Sequence, residues 1–239
     1  GADCKEDDIL TDLLVANNHD LLFFFTNMGK VYTMKVYEVE EASKVTKGKH
    51  LINYIRLSEN EKVTSFFSIS EFDPENYLLM VTRTGKIKKT RLELFENARN
   101  RGIIAIKLLE NDALVTARLT SGKEHILLVT KNGKAARFCE SEIRDQGRAS
   151  QGVRGIKLAE HDEVIEAVIF NPEQEKVCVL TITEKGFAKR TPLEEYTCIH
   201  RGGGGVICHK LTSETGCVVG AHIAADEHGL LILTKSGKV

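Results

Sequence analysis

Thr26-Asn-Met-Gly29-Lys30 returns along the chain as Thr82-Arg-Thr-Gly85-Lys86, Thr130-Lys-Asn-Gly133-Lys134, Thr183-Glu-Lys-Gly186-Phe187 and Thr234-Lys-Ser-Gly237-Lys238. Each copy sets a threonine three residues before a glycine. The glycines are 56, 48, 53 and 51 residues apart. An apolar run precedes every copy: Leu21–Phe25, Tyr77–Val81, His125–Val129, Val177–Ile182 and Leu230–Leu233. A mixed strand follows, as in Val31–Tyr37 and Ile87–Leu92. Two β-rich runs around a short turn make a hairpin, because glycine supplies the positive φ that such turns require.

A second signature lies between the turns. Gly102-Ile-Ile-Ala-Ile-Lys-Leu108 matches Gly152-Val-Arg-Gly-Ile-Lys-Leu158 and Gly205-Val-Ile-Cys-His-Lys-Leu211. A looser first copy leads from Gly48 to Arg56-Leu57. Short acidic turns follow (Ser58-Glu-Asn-Glu61, Glu110-Asn-Asp112, Glu160-His-Asp-Glu163), and further strands begin at Val63–Ile69, Leu114–Leu119, Val164–Phe170 and Cys217–Ile223. The reading is an all-β chain of four-stranded blades, the second running Val63–Ile69, Tyr77–Val81, Ile87–Leu92 and Ile103–Leu108. Residues 1–239 are read as a single domain of four full repeats and the start of a fifth hairpin, with no separate catalytic domain. Leu92–Arg101 is read as a loop.

A net charge of −1 argues against a polyanionic partner, but the average conceals segregation. Residues 42–57, 97–108, 143–158 and 198–211 carry Lys44, Lys47, Lys49, Arg56, Arg99, Arg101, Lys107, Arg144, Arg148, Arg154, Lys157, Arg201 and Lys210. Their only acid is Asp145, so these windows hold +12 while the rest of the chain holds −13. The windows occupy equivalent places in successive repeats, so a radial architecture aligns them as a track. Such a track suits a phosphate backbone, since each contact releases a condensed counterion. No helix is expected to read a major groove, and the lack of Trp disfavours single-strand stacking. The expected mode is sequence-independent contact with duplex DNA along a curved rim, and the rival from another class is a propeller that binds an acidic protein.

Catalytic patterns are missing: no Gly-x-Ser-x-Gly, no His-Glu-x-x-His and no Gly-Lys-Ser/Thr phosphate loop occurs. No apolar run reaches the roughly 18–20 residues of a membrane helix. The six cysteines include no Cys-x-x-Cys pair and read as reduced thiols. Cys198, His200, Cys208, His209, Cys217 and His222 offer zinc ligand types, but their spacing fits no knuckle, and adjacent Cys208 and His209 point to opposite strand faces. No metal is expected there, and Asp7, Asp8 and Asp12 read as solvated acids.

Leu14-Val-Ala-Asn-Asn-His-Asp20, Gly29-Lys-Val-Tyr-Thr-Met-Lys-Val-Tyr37, Lys47-Gly-Lys-His-Leu-Ile-Asn53 and Gln151-Gly-Val-Arg-Gly-Ile-Lys-Leu158 resemble the C-terminal domain family of DNA gyrase A. The likeness extends over nearly the whole chain. It implies a β-pinwheel, a propeller-like disc whose blades exchange strands, that wraps DNA on its outer edge. In the family this lets a bacterial ATP-driven type II topoisomerase introduce negative supercoils. The resemblance implies partners in the rest of gyrase A and gyrase B as an A2B2 holoenzyme, in the cytoplasm at the nucleoid. ATP and Mg2+ belong to that holoenzyme, and no catalytic residue or cofactor is expected in this domain. The family's Gln-Arg-Arg-Gly-Gly-Lys-Gly box is absent, and His200-Arg-Gly-Gly-Gly-Gly205 is a weak echo of it. Topoisomerase IV has a similar domain without a strict box, while the first repeat here is closer to gyrase.

Overall fold

The computed structural model describes residues 14–43, 46–173 and 177–224. Hairpins form where the turn signature places them: β1 (Leu21–Thr26) with β2 (Lys30–Lys35), β4 (Tyr77–Thr82) with β5 (Lys86–Arg91), β8 (His125–Thr130) with β9 (Lys134–Cys139), and β12 (Cys178–Thr183) with β13 (Ala188–Pro192). In each turn the glycine N–H donates to the threonine carbonyl at 2.9–3.0 Å. The fifth hairpin and the acids Asp7, Asp8 and Asp12 lie outside the described residues.

A third strand pairs antiparallel with the first strand of each hairpin: β3 (Val63–Ile69), β7 (Leu114–Thr120), β11 (Val164–Phe170) and β15 (Val218–Ala224). A register shift recurs in all four pairs beside the turn threonine, which marks them as copies of one unit.

The fourth strand corrects the blade grouping read from the sequence. β6 (Ile103–Ile104) pairs with β2, β10 (Val153–Arg154) with β5 and β14 (Val206–Ile207) with β9. The sheet orders are therefore β3-β1-β2-β6, β10-β5-β4-β7, β11-β8-β9-β14 and β13-β12-β15. Val63–Ile69 and Ile103–Ile104 belong to the first sheet, while Tyr77–Thr82 and Lys86–Arg91 belong to the second. Every complete blade borrows its last strand from the following repeat, as the resemblance implied.

The sheets stack face to face. Leu78 and Met80 pack against Phe23, Phe25 and Val31 of the first sheet. Leu79 and Val81, pointing the other way, pack against Ile126 and Leu128 of the third. Leu127 and Val129 then meet Val179 and Val218 of the fourth. Both faces of the central sheets are covered, which is why their strands read as continuous apolar runs rather than alternating ones. Between sheets, β3 lies against β7, β7 against β11 and β11 against β15. That side is the hub, and β6, β10 and β14, at the far ends of the sheet orders, form the periphery.

Short 3-10 turns follow the second strands, at Val36–Glu38, Leu92–Phe95, Glu140–Glu142 and Leu193–Glu195. Leu92–Phe95 replaces part of the loop expected over 92–101: Leu92 and Phe95 are both buried, and a three-residue period puts them on one side of the turn. No helix among the described residues is long and apolar enough to cross a membrane.

Candidate nucleic-acid interface

Three of the four basic windows are built around the peripheral strands. The chain first runs parallel to the second strand of the hairpin it will join. Gln146 N–H donates to Lys89 O at 2.9 Å, and Ile199 N–H to Arg137 O at 2.8 Å. In the first sheet the direction of donation reverses, with Thr33 N–H on Arg99 O at 3.4 Å. The chain then turns at Gly102, Gly152 and Gly205, all with positive φ. A Cβ at Gly152 would lie 2.5 Å from Ile87 O, and one at Gly205 would lie 2.4 Å from Ala135 O. Only glycine lets the backbone come this close.

The segment is then fastened to the hairpin tip. Ala105, Gly155 and Cys208 donate their N–H to the carbonyls of Gly29, Gly85 and Gly133 at 2.9, 2.8 and 2.8 Å. Leu108, Leu158 and Leu211 cover the same glycines. The two sequence signatures are thus the two halves of one contact between successive repeats.

Neighbouring windows are also joined sideways. Arg56 N–H donates to Asn100 O at 3.0 Å, Lys107 N–H to Ser150 O at 3.0 Å and Lys157 N–H to Gly203 O at 2.8 Å. The same backbone bond at equivalent positions connects all four windows into one continuous rim.

Of the residues singled out from sequence, Lys44 lies outside the described residues. Lys47, Lys49, Arg56, Arg99, Arg101, Lys107, Arg144, Arg154, Lys157 and Lys210 are exposed. Lys49 is paired with Glu40, and that hydrogen bond raises its pKa. Arg99 turns back on its own segment, donating to Glu96 O and Ala98 O at 2.6 Å. Arg148 and Arg201 are half-buried and do matching work. Arg148 Nη1 donates to Ile104 O at 3.4 Å and Arg201 Nη1 to Arg154 O at 3.3 Å, each clipping its loop to the preceding peripheral strand. Asp145, the lone acid, is occupied by Lys89 and Arg91, both at 3.5 Å.

Sequence reasoning passed over two groups of rim lysines. Lys30, Lys86 and Lys134 stand opposite Ile104, Arg154 and Ile207 in strand register. Lys30 joins Arg101 and Arg148 in lining a groove of about 790 Å³. Their signal was the Gly-Lys pair in the turn signature, read only for its glycine. The other is Lys88, fully buried beneath the rim. Its Nζ donates to Ala105 O at 2.7 Å, Ser150 O at 3.4 Å and Arg148 O. Burial, with a smaller contribution from Arg148, pushes its pKa down to about 7.

The histidine and cysteine group weighed for zinc does not assemble as a set. Cys208 and His209 are buried, and His209 Nδ1 shares a hydrogen bond of 2.9 Å with Thr181 Oγ1. Cys198 instead approaches Cys139 and His125.

The family described as "DNA gyrase C-terminal domain, beta-propeller" matches residues 20–70, 76–121, 124–171 and 179–224. The gyrase A protein of Helicobacter pylori is 41% identical over 236 residues, which are 98% of this chain and 28% of that protein. The chain therefore spans less than a third of the length of the curated relatives it matches. A crystal structure of the C-terminal domain of DNA topoisomerase IV superposes with a TM-score of 0.84 at 30% identity, covering 94% of this chain and 70% of that one. A structure of a DNA gyrase A C-terminal domain gives 0.75 at 27% identity, covering 88% and 68%. With four consecutive family segments falling on four stacked sheets, the chain belongs to the DNA gyrase C-terminal domain, beta-propeller family.

Proposed function

We propose that this chain holds duplex DNA along its basic rim and bends it, serving a gyrase-type topoisomerase as a wrapping element without bond chemistry of its own. One observation carries the reading: thirteen basic residues and one acid fall on windows of which all described parts are stitched together by a repeated backbone bond. The single acid of the windows, Asp145, is engaged by Lys89 and Arg91, so it offsets little of their positive charge. A continuous curved cation track matches a phosphate backbone whatever its sequence. Smooth bending of roughly 20–30 base pairs costs about 1–6 kcal/mol, so it needs contacts distributed along an arc. On this reading the rest of gyrase A and gyrase B in an A2B2 assembly supply cleavage and the ATP and Mg2+ chemistry, in the bacterial cytoplasm at the nucleoid.

The test is affinity for linear duplexes of graded length across a salt series. Affinity is expected to rise with length beyond what one blade covers and to ignore sequence. Arg154→Glu with Lys157→Glu should lower the slope of log K against log salt by about 0.9 for each phosphate set free. Arg154 is a cleaner probe than Arg148, which also clips two loops together. An unchanged slope and affinity at low salt would remove the rim assignment, and tighter binding to acidic protein than to DNA would favour the interaction propeller. The strong superposition on a topoisomerase IV domain keeps that enzyme as the second reading. Topoisomer shifts on nicked circles religated with the chain bound separate the two by the sign and size of the constrained writhe.

A further inference from the structure

Three side chains meet where the fourth rim loop rejoins the third sheet. His125 and Cys139 face each other across β8 and β9. His125 Nε2 lies 3.2 Å from Cys139 Sγ, and Cys139 Sγ lies 3.7 Å from Cys198 Sγ. Cys198 is exposed and sits in the loop that carries Arg201. The loop is already anchored beside it by Ile199 N–H on Arg137 O at 2.8 Å.

Two uses of this trio compete. A sulfur separation of 3.7 Å matches the ~3.8 Å edge that Zn–S bonds of about 2.3 Å give a tetrahedral site. The histidine decides against it. Arg137 presents Nε at 3.3 Å and Nη2 at 3.2 Å to His125 Nδ1. Its Nη1 is held by Leu193 O and Tyr196 O at 3.1 and 3.2 Å, so the guanidinium is fixed in place. A guanidinium only donates, so Nδ1 must accept and the imidazole proton sits on Nε2. A metal-bound histidine needs the opposite arrangement, with its second nitrogen donating to an acceptor. Nε2–H therefore points at sulfur.

We propose that Cys139 and Cys198 are a redox-active dithiol, oxidised reversibly to a disulfide by small-molecule disulfides of the glutathione class. The exposed Cys198 thiolate attacks the oxidant's S–S bond and expels one small thiolate, leaving a mixed disulfide. Cys139 gives its proton to water and attacks the Cys198 sulfur, expelling the second small thiolate. Two protein S–H bonds are broken, one protein S–S bond forms, and two electrons leave with the oxidant as two thiols. Closing the pair to about 2.05 Å asks for about 1.7 Å of sulfur movement. The product would staple the fourth rim loop to β9. Burial first, then the contact with Cys198, raises the Cys139 thiol above its ordinary range, which suits it to the second step rather than the first. The site stands whether or not the rim binds DNA.

The test exposes the reduced chain to oxidised glutathione, traps thiols by alkylation and maps a non-reducing digest. The expected result is one linked peptide pair, Cys139 with Cys198, a mass lower by two hydrogens, and full reversal by excess reduced glutathione. Cys198→Ser should leave Cys139 alkylatable, with no new pairing to Cys178, Cys208 or Cys217. Three results would overturn the proposal: a glutathione adduct on Cys198 that never resolves, a different cysteine pairing, or a reduced chain that binds one equivalent of zinc and loses it in His125→Ala.

Discussion

Replacing Lys88 with methionine tests how the rim is supported. Lys88 is 0% exposed, and its Nζ reaches carbonyls of two successive basic loops. Its pKa falls from 10.5 to about 7 because burial penalises the ammonium, with Arg148 adding repulsion. The unfolded chain therefore binds more protons than the folded one between those two values, and stability rises with pH across that window. The full effect of that shift is about 5 kcal/mol, at roughly 1.4 kcal/mol per unit. Between pH 7 and pH 9.5 about 3 kcal/mol of it is recovered. Methionine keeps most of the side-chain volume and cannot titrate. Urea unfolding of the wild type and Lys88→Met over that range should thus give a difference curve climbing by about 3 kcal/mol in favour of the wild type. Hydrogen exchange at the Lys107 amide, bonded to Ser150 O, should quicken in the variant. Parallel curves, within about 0.5 kcal/mol, would mean that the carbonyl cage keeps the ammonium charged and that the burial argument is wrong.

Gly133→Ala should cost about 2–4 kcal/mol, because φ is +75° and the new Cβ would meet His209 O at 2.3 Å. Gly186→Ala, at φ +83° with open space around it, should cost only about 1 kcal/mol, and matched thermal melts compare the two. Glu140, fully buried, is pushed up to about 7 by burial and by Glu124, so the folded chain holds its proton longer and stability falls as pH rises from 4.5 to 7. Glu140→Gln should therefore gain up to about 3 kcal/mol at pH 8 and almost none near pH 4.5, read by urea unfolding at both. Oxidising Cys139 and Cys198, 59 residues apart, should raise stability by up to about 4 kcal/mol through loop closure, seen as a higher melting temperature than in the reduced chain.

The hairpins were legible because their evidence is local: an apolar run, a threonine, a glycine three residues on and a second run. Blade membership was not. Ile103–Ile104 is a two-residue strand whose partners, Val31 and Lys30, lie more than seventy positions upstream, and nothing in its own sequence names them. The basic windows were legible as a charge pattern, since one sign excludes the other in four equivalent places. Their lateral bonds were hidden, being made by backbone groups that carry no sequence signal. Arg148 and Arg201 looked like their exposed neighbours and turned out to be half-buried clips. The pairing of His125 with Cys139 could have been counted from the hairpin turn, as His125 sits five places before Thr130 and Cys139 five places after Lys134. Cys198 could not, because it enters from the next repeat.

The path of the rim is set chiefly by main chain, with Arg148, Arg201 and the buried Lys88 as side-chain clips. The second, third and fourth windows are held by glycines that permit backbone contact and by N–H groups on the hairpin glycine carbonyls, and one backbone bond joins each window to its neighbour. The path is thus set before any charge is chosen, and substitution of an exposed lysine or arginine alters affinity without moving the track. The fourth window has the fewest bases, Arg201 and Lys210, and Arg201 is already engaged by Glu142 O and Arg154 O. A polyanion held by counterion release should therefore bind this window most weakly. That is also the window that a Cys139–Cys198 bond would tie down, so an oxidant would act on the part of the rim with the least electrostatic hold.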